Sequence, residues 1–353
     1  MLEHEQVAGL KVMKTEGLHT TARALVAPGK GLLAADESHA TLARRFEPLG
    51  IANTEETRRR YRQMLFTTPG ISEYVSGVIL FDETIRQKAD DGTPLVEVLA
   101  RQGIIPGIKV DRGAKPLAGA PGEQVTEGLD GLRERLAEYV ALGARFAKWR
   151  AVIAIGPGLP TDRAIEANAH ALGRYAALCQ ESGLVPIVEP EVLMDGDHTI
   201  ERCFEATEAT LHAVFQALHA QRVALEGMLL KPNMVLSGKE CARQADVPAV
   251  AAATVRCLRR TVPAAVPGVV FLSGGQSEEQ ATAHLNAMNV AGTSHPWALS
   301  FSYGRALQAA ALRAWRGDPT RVAAGQQAFY HRARMNGAAR LGRYAPDMER
   351  SRA

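Results

Sequence analysis

At 353 residues, with 46% hydrophobic content, the chain can hold one large domain or two average ones, and its formal charge of +3 is small for that length. Lys and Arg are spread along the chain, and no stretch interleaves basic with aromatic residues as a single-strand nucleic-acid groove would, so nothing demands a polyanionic partner and nucleic-acid binding is not expected. Apolar runs such as Gly268 to Leu272 fall far short of the roughly 20 residues of a bilayer span, and the acidic start Met1-Leu2-Glu3-His4-Glu5 lacks the basic flank and apolar core of a signal peptide, so no membrane is expected.

Short β-prone runs, each followed by a stretch of helical periodicity, recur eight times, the alternation of parallel βα units. Predicted strands cover Gly31–Ala35, Gly77–Phe81, Ile104–Val110, Arg145–Arg150, Val185–Glu189, Glu226–Lys231, Val269–Leu272 and Ala298–Ser302. Predicted helices between them include Glu55–Leu65, Gly128–Ala141, Asp162–Ser182, Ile200–Ala220, Asp246–Arg260 and Ser277–Ala287. Eight units point to a closed (β/α)₈ barrel in one domain over 1–353, since no low-complexity linker divides the chain. The first 27 residues and the stretch after Ser302 read as added helices and a polar tail. Without apolar anchors, Tyr344 to Ala353 is expected to be mobile.

Charged residues gather at the C-terminal ends of these strands, where barrel active sites are built. Asp36-Glu37-Ser38 ends the first strand. Arg44-Arg45 follow, and could hold a phosphate or form a solvated helix face. Lys109 and Asp111 stand two apart, as do Lys148 and Arg150, so each pair shares one strand face. Glu189 and Glu191 also share a face, where mutual repulsion and nearby lysines would push their proton affinities apart and fit one for acid/base work. Lys231 ends the apolar run Gly227-Met228-Leu229-Leu230. It is either a snorkelling strand-end lysine or an amine made nucleophilic toward a carbonyl by burial and neighbouring cations.

Ser273-Gly274-Gly275-Gln276-Ser277 links the seventh strand to a helix, so free N–H groups and a positive helix end would face an anion. Ser302-Tyr303-Gly304-Arg305 supplies a second small turn and a guanidinium where barrels often hold phosphate. Among ten histidines there is no HxxxH or HExxH group, and His212 with His219 reads as an ordinary helix surface, so neither metal nor cofactor is expected. The four cysteines lack a CxxC pair and suggest neither disulfides nor a zinc ribbon, in keeping with a cytoplasmic location.

From about Ala27 to Trp315 the sequence closely resembles the class I fructose-bisphosphate aldolases. Six motifs carry the likeness in order: Ala27-Pro28-Gly29-Lys30-Gly31 with Ala34-Ala35-Asp36-Glu37-Ser38; Phe146-Ala147-Lys148-Trp149-Arg150; Val188-Glu189-Pro190-Glu191; Leu230-Lys231-Pro232-Asn233-Met234; Ser273-Gly274-Gly275-Gln276-Ser277-Glu278-Glu279; and Ser302-Tyr303-Gly304-Arg305-Ala306. The resemblance implies a (β/α)₈ barrel, usually a homotetramer, that cleaves fructose 1,6-bisphosphate to dihydroxyacetone phosphate and glyceraldehyde 3-phosphate without metal. It implies Lys231 as the Schiff-base lysine, Glu189 as general acid/base, and Asp36, Lys148 and Glu191 as orienting and polarising groups. It places the C1 phosphate with Ser273, Gly274, Gly304 and Arg305, and the C6 phosphate near Ser38, Thr41, Arg45 and Lys109, with Gly275, Ser302 and Arg150 also in the substrate site. Two features depart from the pattern. Ala40-Thr41 stands where the family often has Gly-Ser, and the last tyrosine is Tyr344, whereas many members end in one that reaches the active site. Other readings are a Schiff-base aldolase or transaldolase for another sugar phosphate, or a non-catalytic barrel.

Overall fold

A computed structural model describes residues 16–290 and 294–350. Ten strands form: β1 (Gly31–Ala35), β2 (Val75–Leu80), β3 (Ile105–Lys109), β4 (Ala114–Pro116), β5 (Gln124–Thr126), β6 (Phe146–Ile153), β7 (Val185–Val192), β8 (Leu229–Leu230), β9 (Gly268–Phe271) and β10 (Ala298–Tyr303). Eight of them close a barrel in the order β1-β10-β9-β8-β7-β6-β3-β2, every pair parallel. Strands β4 and β5 make a separate antiparallel hairpin after β3.

The two-residue period of a strand decides what lies inside. Leu32, Ala34, Ile79, Phe146, Val185, Ile187, Leu229 and Val270 pack in one inner cluster, while their neighbours Leu33, Val78, Trp149, Val188, Leu230 and Phe271 join the larger layer under the helices. Continuing the inner parity toward the C-terminal ends leads from Ala34 to Asp36, from Phe146 to Lys148, from Ile187 to Glu189 and from Leu229 to Lys231. A greasy lower barrel is thus capped by a charged upper layer.

The opposite end is plugged. Leu18, Ala22, Leu25 and Val26, from a helix over 16–25 and the turn after it, belong to the inner cluster. They come so close that a Cβ on Gly77 would lie 2.7 Å from Leu25, and one on Gly268 2.6 Å from Val26. The chemistry is therefore confined to the C-terminal mouth. Residues 1–15 of the expected N-terminal extension lie outside the described residues.

Most predicted elements are present within a few residues of their expected ends; the differences have local causes. Strand β8 is two residues long because a 3-10 turn at Leu225–Gly227 replaces its expected start and Pro232 cannot continue the ladder. The helix expected from Gly128 begins at Leu132, since Gly128 and Gly131 take φ +129° and +63°. Beyond the barrel, Val322–Arg340 forms an added helix, and Tyr344 is buried ahead of a 3-10 turn at Pro346–Arg350. Glu349 holds that segment, 2.6 Å from Arg332 and 3.0 Å from both His331 and Tyr344 Oη. The charge cluster acts together with apolar contacts that the sequence did not suggest, since Tyr344 joins the buried core and Met348 packs against it; residues 351–353 of the tail lie outside the described residues.

Candidate active site

The upper layer brings four side chains into one chain of contacts. Lys148 Nζ lies 2.6 Å from Asp36 Oδ2 and 3.1 Å from Glu189 Oε2, and Lys231 Nζ lies 3.2 Å from Glu189 Oε1. Lys148, Glu189 and Lys231 are 3% exposed, so their charges interact through little water. Glu189 Oε2 has no aligned hydrogen-bond donor despite Lys148 beside it; the contact is one of charge, and the oxygen keeps acceptor capacity.

Strand geometry fixes these positions. Lys231 N donates to Val188 O at 2.8 Å, extending β8 by one residue before Pro232 ends it. Asn233 then ties the neighbouring strand: its Oδ1 accepts from Val192 N at 3.0 Å and its Nδ2 donates to Thr207 Oγ1 at 3.1 Å. Arg150 is in register with Glu189 and pairs with Glu191 above it.

The two lysines differ electrostatically. Burial alone would lower Lys148, but Asp36, then Glu189 and Asp111, hold its ammonium charged and push it above the ordinary lysine value. Burial would likewise raise Asp36, yet Lys148 and then Lys231 hold its carboxyl well below the usual carboxylate range. Asp36 and Lys148 are thus a locked ion pair. Lys231 has one carboxylate within salt-bridge distance among the described residues.

Two lobes of one mouth flank this chain. The first, about 1020 Å³, is lined by Asp36, Ser38, Thr41, Arg45, Lys109, Lys148 and Arg150 among others. The second, about 450 Å³, holds Glu189, Glu191, Lys231, Ser273, Gly274, Gly275, Ser302, Gly304 and Arg305, and shares Arg45 and Arg150 with the first. Every residue that the family resemblance gave a catalytic or substrate-binding role therefore lines one of these two lobes.

Some do so differently from expectation. Ser38 caps the helix His39–Phe46, accepting from Thr41 N at 3.4 Å, and its Oγ lies 3.1 Å from Thr41 Oγ1. Lys109 is clamped by Asp111, 2.6 Å from its carboxylate and 2.8 Å from its carbonyl. The helix after β9, Glu278–Asn289, starts in a capping box that occupies the N–H groups of Ser277 and Gln280, so these two are not free as expected. Donors come instead from the turn before it, where Ser273, Gly274 and Gly275 give no N–H to backbone carbonyls among the described residues. A second set lies at the start of Arg305–Trp315, whose N-cap Gly304 has no side chain to cover it. Glycine is needed at 275, where φ is +79° and a Cβ would sit 2.7 Å from Met194. Among the described residues, no group of three or more His, Cys, Asp or Glu is placed to hold a metal ion.

Sequence reading passed over Arg62 and Gln308, which hold Glu37 beneath the first lobe. Arg62 lies in Glu55-Glu56-Thr57-Arg58-Arg59-Arg60-Tyr61-Arg62, which looks like a solvated helix face; only the helical register with buried Tyr61 and Leu65 marks it as inward.

Known proteins share this sequence and this fold. The family model for fructose-bisphosphate aldolase class-I matches residues 17–353. A probable fructose-bisphosphate aldolase class 1 of Xanthomonas campestris is 64% identical over 94% of this chain and 99% of its own length. The cytoplasmic isozyme of fructose-bisphosphate aldolase from Spinacia oleracea is 54% identical over 93% of this chain and 91% of its own. Among solved structures, fructose-bisphosphate aldolase from Plasmodium falciparum, in complex with TRAP and a small-molecule inhibitor, superposes with a TM-score of 0.92 at 52% identity, covering 94% of this chain and 96% of that one. With a model match across nearly its whole length and such close relatives, the chain belongs to the class I fructose-bisphosphate aldolase family.

Proposed function

We propose that Lys231 is the nucleophile through which this class I aldolase cleaves fructose 1,6-bisphosphate to dihydroxyacetone phosphate and glyceraldehyde 3-phosphate. The observation that carries the assignment is the inequality between the two buried lysines. Lys148 is fixed as an ammonium by Asp36 at 2.6 Å and Glu189 at 3.1 Å, and an ammonium has no lone pair to give a carbonyl. Among the described residues Lys231 has one carboxylate within ion-pair distance, Glu189 at 3.2 Å, placed to take a proton from it.

Glu189 takes a proton from Lys231, the freed amine attacks C2, and Glu189 returns that proton to the departing C2 oxygen, so that loss of water leaves a protonated imine and an ionised Glu189. Glu189, with its unused acceptor capacity, takes the proton of the C4 hydroxyl as the C3–C4 bond breaks. The bond electrons flow into the imine and form an enamine, while C4 leaves as the aldehyde. Protonation at C3 and hydrolysis then release dihydroxyacetone phosphate and regenerate the amine. Lys148 supplies a fixed positive charge next to the reacting carbons, and Asp36 and Glu191 orient it and Arg150.

The C1 phosphate is assigned to the second lobe, with Ser273, Gly274, Gly275, Ser302, Gly304 and Arg305, because uncapped backbone donors and a guanidinium meet there. The C6 phosphate is assigned to Ser38, Thr41, Arg45 and Lys109. Cations in both lobes favour a bisphosphate over a monophosphate. The family resemblance supports a single domain and a homotetramer. A cytoplasmic location is supported by four free cysteines and by the spinach relative's designation as a cytoplasmic isozyme.

The test is cleavage of fructose 1,6-bisphosphate by the purified chain in excess EDTA, with both triose phosphates measured. Turnover that persists supports the reading; turnover restored only by added zinc contradicts it.

A further inference from the structure

The inference that follows rests on reading Arg45 as the cation for the C6 phosphate. Arg45 is paired with Glu37, and a carboxylate in that place should cancel much of the charge offered to a ligand. Glu37, however, has a second cationic partner on its buried side. Arg62 Nη2 lies 2.6 Å from Glu37 Oε2, and its side chain is 1% exposed and lines neither lobe.

Gln308 completes the arrangement. Its Nε2 donates to Glu37 Oε1 at 2.8 Å and to Ala34 O at 2.7 Å, while its Oε1 accepts from Tyr61 Oη at 3.0 Å and from Arg62 Nη1 at 3.4 Å. Glu37 is therefore held from the helix His39–Phe46 by Arg45, from the helix Glu55–Phe66 by Arg62 and from the first turn of Arg305–Trp315 by Gln308. Burial favours its neutral form, but Arg62 and then Arg45 hold it below the usual carboxylate range, so it stays ionised.

A fully buried guanidinium is expensive, and an apolar residue would pack against Tyr61 without that desolvation cost. The charge count supplies a reason for it. Two guanidiniums share one carboxylate, leaving a net positive charge, and of the two only Arg45 reaches the cavity. The geometry points to Arg62 as a positioning residue that neutralises Glu37 from behind, leaving the charge of Arg45 for the phosphate remote from the imine and so setting the preference for bisphosphate over fructose 1-phosphate.

The experiment compares kcat/KM for fructose 1,6-bisphosphate and fructose 1-phosphate. In Arg62→Met, Glu37 is left to Arg45 alone, and the bisphosphate-to-monophosphate ratio should fall about tenfold through KM for the bisphosphate, with fructose 1-phosphate changed by less than about twofold. Adding Glu37→Gln to Arg62→Met removes the quenching carboxylate and should return the ratio to within about threefold of the starting protein, a rescue that a merely structural role would not give. An unchanged ratio in Arg62→Met, a parallel loss on both substrates, or no rescue in the double variant overturns the inference. If Arg62→Met does not fold, the double variant, which loses both buried charges, decides alone: a ratio about tenfold low overturns the idea. Arg45→Ala separates this from the underlying reading, because an unchanged ratio there shows that the phosphate assignment itself is wrong.

Discussion

Replacing Glu189 with Gln probes proton transfer with little disturbance of shape. Glutamine fills the same volume on β7, and Lys148 keeps Asp36 at 2.6 Å, so the locked pair survives. Lys231 loses its carboxylate at 3.2 Å, a buried contact whose removal costs on the order of 3 kcal/mol. Against a folding stability of roughly 5–15 kcal/mol the variant should remain folded. What it cannot do is accept a proton, and a positioned general base contributes about 10²–10⁴ in rate. At about 1.36 kcal/mol per decade this is about 2.7–5.4 kcal/mol of barrier. Single-turnover cleavage of fructose 1,6-bisphosphate, with circular dichroism as the check on folding, reads the effect directly. Glu191→Gln is the control, since Glu191 pairs with Arg150 rather than a lysine, and should cost less than about tenfold. Cleavage by Glu189→Gln within tenfold of the starting protein, beside a larger fall in Glu191→Gln, would refute the assignment by exchanging the two roles.

Gly275→Ala should lower thermal stability and raise KM for both ketose phosphates, since an alanine at φ +79° costs about 1–2 kcal/mol before its Cβ meets Met194 at 2.7 Å. Unchanged melting temperature and KM would show that the turn does not need glycine. Asp36 governs the acid side of the stability curve: its folded carboxyl is held below the ordinary 3.8, so its contribution is present above that value and lost as the pH falls toward the folded one. Asp36→Asn should accordingly lower stability near neutrality and flatten its decline below about pH 4, measured by denaturant melts across pH; an unaltered slope contradicts the locked pair.

How much of this was legible in the sequence differs by level. The barrel was readable because eight short β-prone runs are each followed by a stretch of helical periodicity, and strand parity then carries Asp36, Lys148, Glu189 and Lys231 into one layer. The hairpin of β4 and β5 was not, because its strands are three residues each, broken by Pro116, and show no apolar period. The capping box at Ser277 was written in the Ser-Glu-Glu-Gln spacing, and it changes which N–H groups are free for phosphate. Glu37, Arg62 and Gln308 stand far apart along the chain, and only the closed barrel brings them together, so no local pattern could announce their contact.

The central claim is that one particular lysine carries the covalent chemistry, and reduction by borohydride in the presence of dihydroxyacetone phosphate tests it most directly. Peptide mapping should place the reduced adduct on Lys231 alone, and Lys231→Ala should abolish trapping while Lys148, held by Asp36, stays unmodified. A full-strength adduct on Lys148 or Lys109, or trapping that survives in Lys231→Ala, would contradict the account.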